Sequence, residues 1–507
     1  LIASEVRTLN FYIGGKPLVS ESGKYSDVFD PSTGRVIART PLCTAAEVNQ
    51  AIESAARAFP GWADTPAIKR VQVLYRFREL IDKHLDELTL SVCTENGKVW
   101  DEAQGDVLKA REAVELACGI PSLMMGESMM DASQGYDTTL YREPLGVFAG
   151  IAPFNFPAMI PMGWMMPLCI ATGNTLVLKA ATMTPMTSMR MLELLYEAGL
   201  PEGVVNLVTC SRREAEILLT HPAVKGITFV GSTSVGLHVY STAAAHGKRV
   251  QALCEAKNHA LVLEDAPLER TARGIINAAY GCAGERCMAL PVVAVQESIA
   301  DDLVALLVKF ARERKIGPAY DKTSELGPLV TEGHRKFVTD WIAKGVEEGA
   351  ELILDGRGVV VPGYEGGFYL GPTIFDHVKP GMSCGEQEIF GPVLCVKRVK
   401  DFEHGLEVIN ANPFANGAVI FTQSGHYARN FAKRVHGGMV GINVGIPVPV
   451  GMFPFSGHKQ SFFGDLHTLG KDGVRFYTES KCVTATWFDE AELKKEKIDT
   501  WDGVLQR

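Results

Sequence analysis

No run of Lys and Arg is concentrated anywhere in the chain: 50 basic residues stand scattered against 59 acidic ones, for a net charge of −9. A phosphate-backbone partner needs a basic stripe, so nucleic acid is not expected. No Cys or His pair stands at zinc-ligand spacing, Cys282 and Cys287 being five residues apart, so no metal is expected either. The eleven cysteines are an odd number without paired spacing, in a chain too long to need disulfide staples, which implies a reducing compartment. No basic n-region with an apolar h-region opens the sequence, so no secretory leader is expected. The expected location is cytoplasmic, or the mitochondrial matrix in a eukaryote, where a removed transit peptide would leave no trace. Internal repeats and low-complexity segments are lacking. Charge is missing altogether from residues 144–178, a stretch long enough to span a bilayer. Yet Pro153, Pro157, Pro161 and Pro167, with Asn155, Gly163, Gly173 and Asn174, cut it into strand, helix and strand, so it reads as buried core and no membrane partner is expected.

What is present fits a multidomain enzyme. A chain of 507 residues exceeds what one hydrophobic core serves, and 46% hydrophobic with 21% charged residues excludes extended disorder. Short β-type runs and turn residues over 11–40 predict a small leading sheet, and Thr44 with Glu47 reads as an N-cap with Glu at N3. Helical spacing follows over 71–90 and 101–123. From residue 146 strands alternate with helices: strand 146–152, helix 157–172, strand 174–179, helix 186–198, strand 204–208, helix 212–219, strand 227–230. That alternation predicts a doubly wound parallel sheet whose ligand binds beyond the carboxyl ends of its strands. A second α/β alternation runs from residue 291 to 399, including helices 299–314 and 336–348.

Three local features carry chemistry. Residues 281–290 set Cys287 beside Arg286 in a glycine-rich context, and a thiol becomes a strong nucleophile where a cation or aligned N–H groups favour its thiolate. The plainer alternative is a small buried hydrophobe. The turn Gly231-Ser232-Thr233-Ser234-Val235-Gly236 follows a strand and opens a helix, offering N–H groups and a hydroxyl to a phosphate, although it is neither a G-x-G-x-x-G nor a Walker loop. Lys179 stands where a parallel strand ends, either at a cofactor edge or as a solvated strand terminus.

Four blocks, Pro153-Phe154-Asn155-Phe156-Pro157, the 231–236 turn, Gly284-Glu285-Arg286-Cys287 and Glu388-Ile389-Phe390-Gly391-Pro392-Val393, resemble the aldehyde dehydrogenase superfamily in order and spacing. Within it the chain is similar to the CoA-acylating branch acting on methylmalonate and malonate semialdehyde, through 122–127, 248–251, 256–259, 286–289 and 446–449. The resemblance implies an aldehyde dehydrogenase-like α/β fold: a nicotinamide-cofactor domain over 1–130 and 145–255, a catalytic domain over 256–455, and a small β oligomerisation arm from 131–144 and 478–490. It implies that Cys287 attacks the aldehyde and that the Asn155 amide and the Cys287 N–H hold the oxyanion. Glu388 would grip the nicotinamide ribose and Phe390 would pack on the cofactor. Ala152, Pro153, Phe154, Lys179, Thr182, Gly231 and Ser232 would line the rest of that site. The implied cofactor is NAD, with CoA as co-substrate and a homodimer or homotetramer as the assembly. A malonate or methylmalonate semialdehyde would lose its carboxylate as CO2, giving acetyl-CoA or propionyl-CoA.

Departures from the family pattern sharpen the expectation. Hydrolytic relatives activate water with a Glu four residues before the lysine of a Gly-Gly-Lys motif; counted back from Lys257, that place holds Leu253. Bulk water, with a pKa of about 15.7, needs such a base, whereas a thiol titrating near about 8.5 is partly thiolate without one. A CoA thiol is therefore the better acyl acceptor. Glu255 stands where the family has glycine; it is read as lining the tunnel rather than as a displaced base, because a two-residue shift on an extended segment moves a side chain several ångströms. Thr182 replaces the Glu that grips the adenosine ribose, which narrows the preference for NAD over NADP. The family's two-arginine clamp on a distal carboxylate becomes Arg286 and Lys109, the lysine losing the bidentate fork; Arg111 faces another side of the helix. The alternatives are a hydrolytic NAD(P)-dependent enzyme with Glu255 as base, and a catalytically silent structural member of the fold.

Overall fold

Apolar, β-rich segments with few charges make the centre of the first sheet. In the computed structural model, which describes residues 6–133, 135–488, 490–491 and 493, they are β1 (Val147–Ile151), β2 (Thr175–Lys179), β3 (Val205–Val208), β4 (Val224–Val230) and β5 (Arg249–Leu253). All pair in parallel, in the order β5-β4-β1-β2-β3. Side chains alternate between two cores: Phe148, Leu176 and Leu178 face the helices Ala67–Lys83, Leu85–Asn96 and Trp100–Cys118, while Val147, Ala149 and Val177 face Ala45–Asp64 and Arg212–Thr220. Both faces are covered, which is why the strands read as nearly unbroken apolar runs. The strand order reverses between β1 and β4, opening a crevice at their carboxyl ends. Antiparallel strands close the sheet, Phe11–Ile13 beside β3 and Phe462–Gly464 beside β5.

The second sheet holds β6 (His259–Val262), β7 (Val292–Gln296), β8 (Glu351–Leu354), β9 (Thr373–Asp376), β10 (Val393–Val399), β11 (Gly417–Phe421) and β12 (Met439–Ile442), in the order β8-β9-β10-β7-β6-β11-β12. Only β8 runs antiparallel to its neighbour. A third, antiparallel sheet joins Ser128–Ser133, Tyr136–Pro144 and Thr478–Thr486, in register from Thr478↔Pro144 to Thr486↔Tyr136. Met129, Met130, Val483 and Trp487 are exposed on or beside it. Residues 1–5 of the expected cofactor domain and residues 134 and 489 of the expected arm lie outside the described residues.

Several expected elements are redrawn by particular residues. The leading sheet splits: residues 11–18 join the first large sheet, while Arg7–Thr8, Tyr25–Asp30 and Arg35–Pro41 form a separate three-stranded one. The expected helix 71–90 is two helices meeting at His84 (φ −107°, ψ 19°), and 101–123 breaks at Gly119, just before Pro121. The expected helix 157–172 is a π-helical turn, Ile160–Met165, followed by Pro167–Ala171. Prolines 161 and 167 lack a donor N–H and their rings obstruct an α register through this stretch. At Thr44 the capping box forms as expected: Thr44 Oγ1 accepts the Glu47 N–H at 3.2 Å and Glu47 Oε2 accepts the Thr44 N–H at 2.7 Å. Among the described residues no helix is long and apolar enough to cross a membrane.

Candidate active site

The helix Leu268–Tyr280 ends in a turn where Cys282 (φ +51°), Ala283 (φ +52°) and Gly284 (φ +78°) are all left-handed. Each non-glycine residue in that region costs roughly 1–2 kcal/mol, so the turn must be held from outside. Glu102, from the helix Trp100–Cys118, does so: its Oε2 accepts the Cys282 N–H at 2.8 Å and its Oε1 accepts from Arg286 Nη2 at 3.2 Å. Arg286 Nε donates to Cys282 Sγ at 3.1 Å. At Gly284 a Cβ would stand 2.1 Å from the Gly391 carbonyl oxygen, so glycine there lets the loop carrying Glu388 and Phe390 close onto the cysteine loop.

Beyond this turn Cys287 is half-buried, and its carbonyl accepts from the Nδ2 groups of Asn258 at 2.9 Å and Asn416 at 3.3 Å. Asn155, buried, donates through Nδ2 to the Glu285 carbonyl at 3.1 Å, which spends one amide proton two residues from Cys287. The expected activation of the thiol by its neighbouring cation is not seen at rest. Burial first, then the Glu388 carboxylate, push the Cys287 thiol up to about 12, against the smaller pull of Arg286 and Lys98. The Arg286 guanidinium is directed to Cys282 and Glu102 instead. Cys287 is therefore a thiol near neutral pH, and its thiolate fraction rises about tenfold per pH unit below its pKa. Alkylation of Cys287 by iodoacetamide, followed by peptide mass spectrometry in the absence of other ligands, is expected to climb in that way from pH 7 to pH 10. A plateau already reached below pH 8 would show a thiolate stabilised at rest.

Sequence reasoning passed over Lys98, Glu102, Asn416 and His334. Lys98, almost fully buried, pairs with Asp106 at 2.8 Å and stands 3.5 Å over the Phe156 ring, while Asp106 Oδ1 accepts the Met159 N–H at 2.7 Å. His334 Nε2 donates to the Phe390 carbonyl at 2.7 Å. None of these carries a local signal: Glu102, Asn416 and His334 act across more than fifty residues, and the Lys98–Asp106 pair, eight residues apart, reads in sequence as an ordinary surface pair.

On the first sheet a cleft of about 310 Å³ opens at the carboxyl ends of β1, β2 and β4, lined by Ala152, Lys179, Gly231 and Ser232 together with Arg212, Glu216 and His238. Burial lowers the Lys179 pKa. Thr182 is half-buried in the turn after β2 and does not line this cleft. Phe154 packs edge-on against Phe390 with ring centroids 5.9 Å apart, and Phe390 is itself left-handed at φ +59°. Glu388 Oε1 accepts the Ala256 N–H at 3.0 Å, and burial, then the charge of Glu255, push its carboxyl up to about 8. Glu255 is tied to Thr233, its Oε2 accepting the Thr233 N–H at 2.9 Å.

Leu253, at the end of β5, is buried in the same apolar cluster as Met288, against which Cys287 packs. Lys109 pairs with Glu112 at 2.6 Å, and Glu112 Oε1 accepts the Gly451 N–H at 2.8 Å. Arg111 turns away to Asp82 at 2.7 Å. The structure thus gathers Cys287, Asn155, Arg286 and Glu388 around adjoining loops, sets Lys179 and Ser232 in the cleft, and leaves Thr182 and Lys109 outside these contacts.

The fold recurs in known proteins. The model of the aldehyde dehydrogenase family matches residues 18–483. The chain belongs to this family. It is 46% identical over 488 residues to malonate-semialdehyde dehydrogenase 1 of Oceanobacillus iheyensis, covering 96% of this chain and 100% of that one. Among solved structures it is similar to a methylmalonate-semialdehyde dehydrogenase from Oceanimonas doudoroffii, at a TM-score of 0.94 and 42% identity over 96% of this chain and 99% of that one. A Sinorhizobium meliloti protein assigned the same activity and complexed with NAD gives a TM-score of 0.94 at 40% identity, covering 96% and 99%. The two large sheets and the small antiparallel one are the aldehyde dehydrogenase fold that the four blocks implied.

Proposed function

We propose that the chain oxidises malonate or methylmalonate semialdehyde with NAD and CoA through a thioester on Cys287, giving acetyl-CoA or propionyl-CoA, CO2 and NADH. The observation that carries this reading is Leu253, an apolar side chain buried at the end of β5 where a hydrolytic enzyme needs a carboxylate. The named activities of the similar proteins support it. The hydrolytic alternative needs Glu255 as a base, but that carboxylate is bonded to a helix N–H.

The donor set fits a dinucleotide. Ser232 and the first N–H groups of the helix Thr233–Ala245 suit a diphosphate, Lys179 suits the adenosine ribose, and Glu388 suits the nicotinamide ribose. When bound, the nicotinamide takes up the hydrogen and electron pair that leave the aldehyde carbon. With no carboxylate at position 182, NAD is preferred over NADP by a reduced margin. Residues 1–130 and 145–255 are assigned to the cofactor and 256–455 to catalysis.

Cys287 releases its proton to solvent, its Sγ bonds to the aldehyde carbon as the C=O electron pair moves to oxygen, and the Asn155 amide with the Cys287 N–H hold the oxyanion so formed. Arg286, braced by Glu102, receives the distal carboxylate, with Lys109 as a weaker second cation. The distal carboxylate leaves as CO2, its bonding electron pair passing to the carbon beside the thioester carbonyl, which takes a proton from solvent; the CoA thiolate then takes the resulting acetyl or propionyl group, and Cys287 leaves as its thiolate. The small antiparallel sheet built from 131–144 and 478–490 makes the homodimer or homotetramer, pairing between copies through its outer strands, since Tyr136–Pro144 is already bonded on both sides.

The testing experiment follows absorbance of the reduced cofactor with malonate semialdehyde, with and without CoA; fast turnover is expected only with CoA. Asn155→Ala is expected to lower kcat about 10²–10³-fold, the usual worth of one oxyanion donor. A change under about threefold would place the oxyanion elsewhere.

A further inference from the structure

Glu255 stands between two features assigned to the cofactor. Its Oε2 accepts the Thr233 N–H at 2.9 Å, and its own N–H is donated to Thr233 Oγ1 at 3.3 Å. Thr233 opens the helix Thr233–Ala245 directly after Gly231 and Ser232, and the Ser232 side chain at the N-cap makes no capping bond. Glu255 thus supplies, from another strand's end, the acceptor that an N-cap side chain ordinarily provides. One residue on, the Ala256 N–H holds Glu388 Oε1 at 3.0 Å. The glycine that the family pattern places at position 255 would keep the backbone bonds but bring no charge to this helix end.

We propose that Glu255 is a positioning residue that acts as an internal anion, competing with the cofactor's diphosphate for the N-terminal end of this helix, so that the chain binds its cofactor more weakly and releases it faster. The inference rests on the dinucleotide reading above. The end of the helix carries about half a positive charge and unpaired N–H groups, which attract a diphosphate. A carboxylate already bonded there satisfies one N–H in the free protein and repels an arriving dianion. Its charge is felt across the groove, since it is the second cause, after burial, of the upward shift at Glu388.

Glu255→Gln is the decisive substitution, because the amide oxygen keeps an acceptor for the Thr233 N–H at almost the same volume while the charge is removed. Affinities of ADP, which carries the diphosphate, and of adenosine, which carries none, are measured by calorimetry for the wild type and E255Q. ADP is expected to bind about three- to tenfold tighter to E255Q, with the gain shrinking in high salt. Adenosine should bind both alike, and NADH release in stopped flow should slow by the ADP factor. Equal or weaker ADP binding by E255Q would overturn the inference and leave the dinucleotide reading standing. A parallel gain for adenosine would also overturn it, since a reshaped pocket would then be the cause. Failure of both proteins to bind ADP and adenosine would refute the dinucleotide reading, and the inference with it.

Discussion

Cys287→Ala is expected to lower turnover by about 10⁴-fold or more while the dissociation constant for NAD changes by less than about twofold. The two parameters separate because Sγ is the atom that bonds to the substrate, whereas the cleft of Lys179 and Ser232 lies on the other sheet. The alanine should be tolerated structurally. The loop is fixed by the bonds of Glu102 to Cys282 and Arg286 and by the Asn258 and Asn416 amides on the residue 287 carbonyl, none of which uses the thiol. Single-turnover reduction of NAD and calorimetric binding measure the two quantities. Retained turnover with lost cofactor affinity would remove Cys287 from the chemistry.

Without CoA, a burst of NADH of about one equivalent per active site followed by slow turnover is expected, the signature of an accumulating thioester. Leucine cannot take a proton from water, and the apolar cluster around Leu253 and Met288 keeps the acyl-enzyme from ready hydrolysis. Addition of CoA should make turnover fast and yield an acyl-CoA, identified by mass spectrometry of the product. Glu255→Gln serves as a control here as well: a CoA-independent rate present in the wild type and lost in E255Q would identify a water-activating base. Fast steady-state NADH production without CoA, giving a free acid, would defeat the acyl-transfer reading.

Where the sequence could be read, the reason was local. Thr44 and Glu47 make a capping box with a three-residue reach, and the nearly unbroken apolar runs of β1 and β2 announce a sheet covered on both faces. Where it could not, the deciding contact was remote or the punctuation competed. Helical spacing continues through His84 and Gly119, yet the backbone turns at both, and two prolines in an apolar run gave a π turn rather than one α-helix. The site shows the same division. Gly281 and Gly284 announce a tight turn ahead of Cys287 by themselves, but Glu102, which braces that turn, stands 180 residues from Cys282, and no spacing rule reaches so far. Arg286 suggests a stabilised thiolate by adjacency in sequence; its charge does pull the Cys287 thiol down, but its guanidinium bends back to Cys282 and burial outweighs the pull. Glu255, two residues from the missing base, looked like a replacement or a lining residue, and only the meeting of β5 with β4 puts it against Thr233.

The strand Phe462–Gly464 pairs with β5, and Gln251 Nε2 donates to the Leu466 carbonyl across 215 residues of chain. During synthesis the first sheet therefore waits with an unpaired edge until the strands of the second sheet have been made, and a segment following them seals the earlier core. Such late, non-local closure is slow and leaves strand edges open to other chains meanwhile. A chain stopped short of residue 462 would present the β5 edge permanently, so truncation before that strand should yield aggregates rather than a smaller working enzyme.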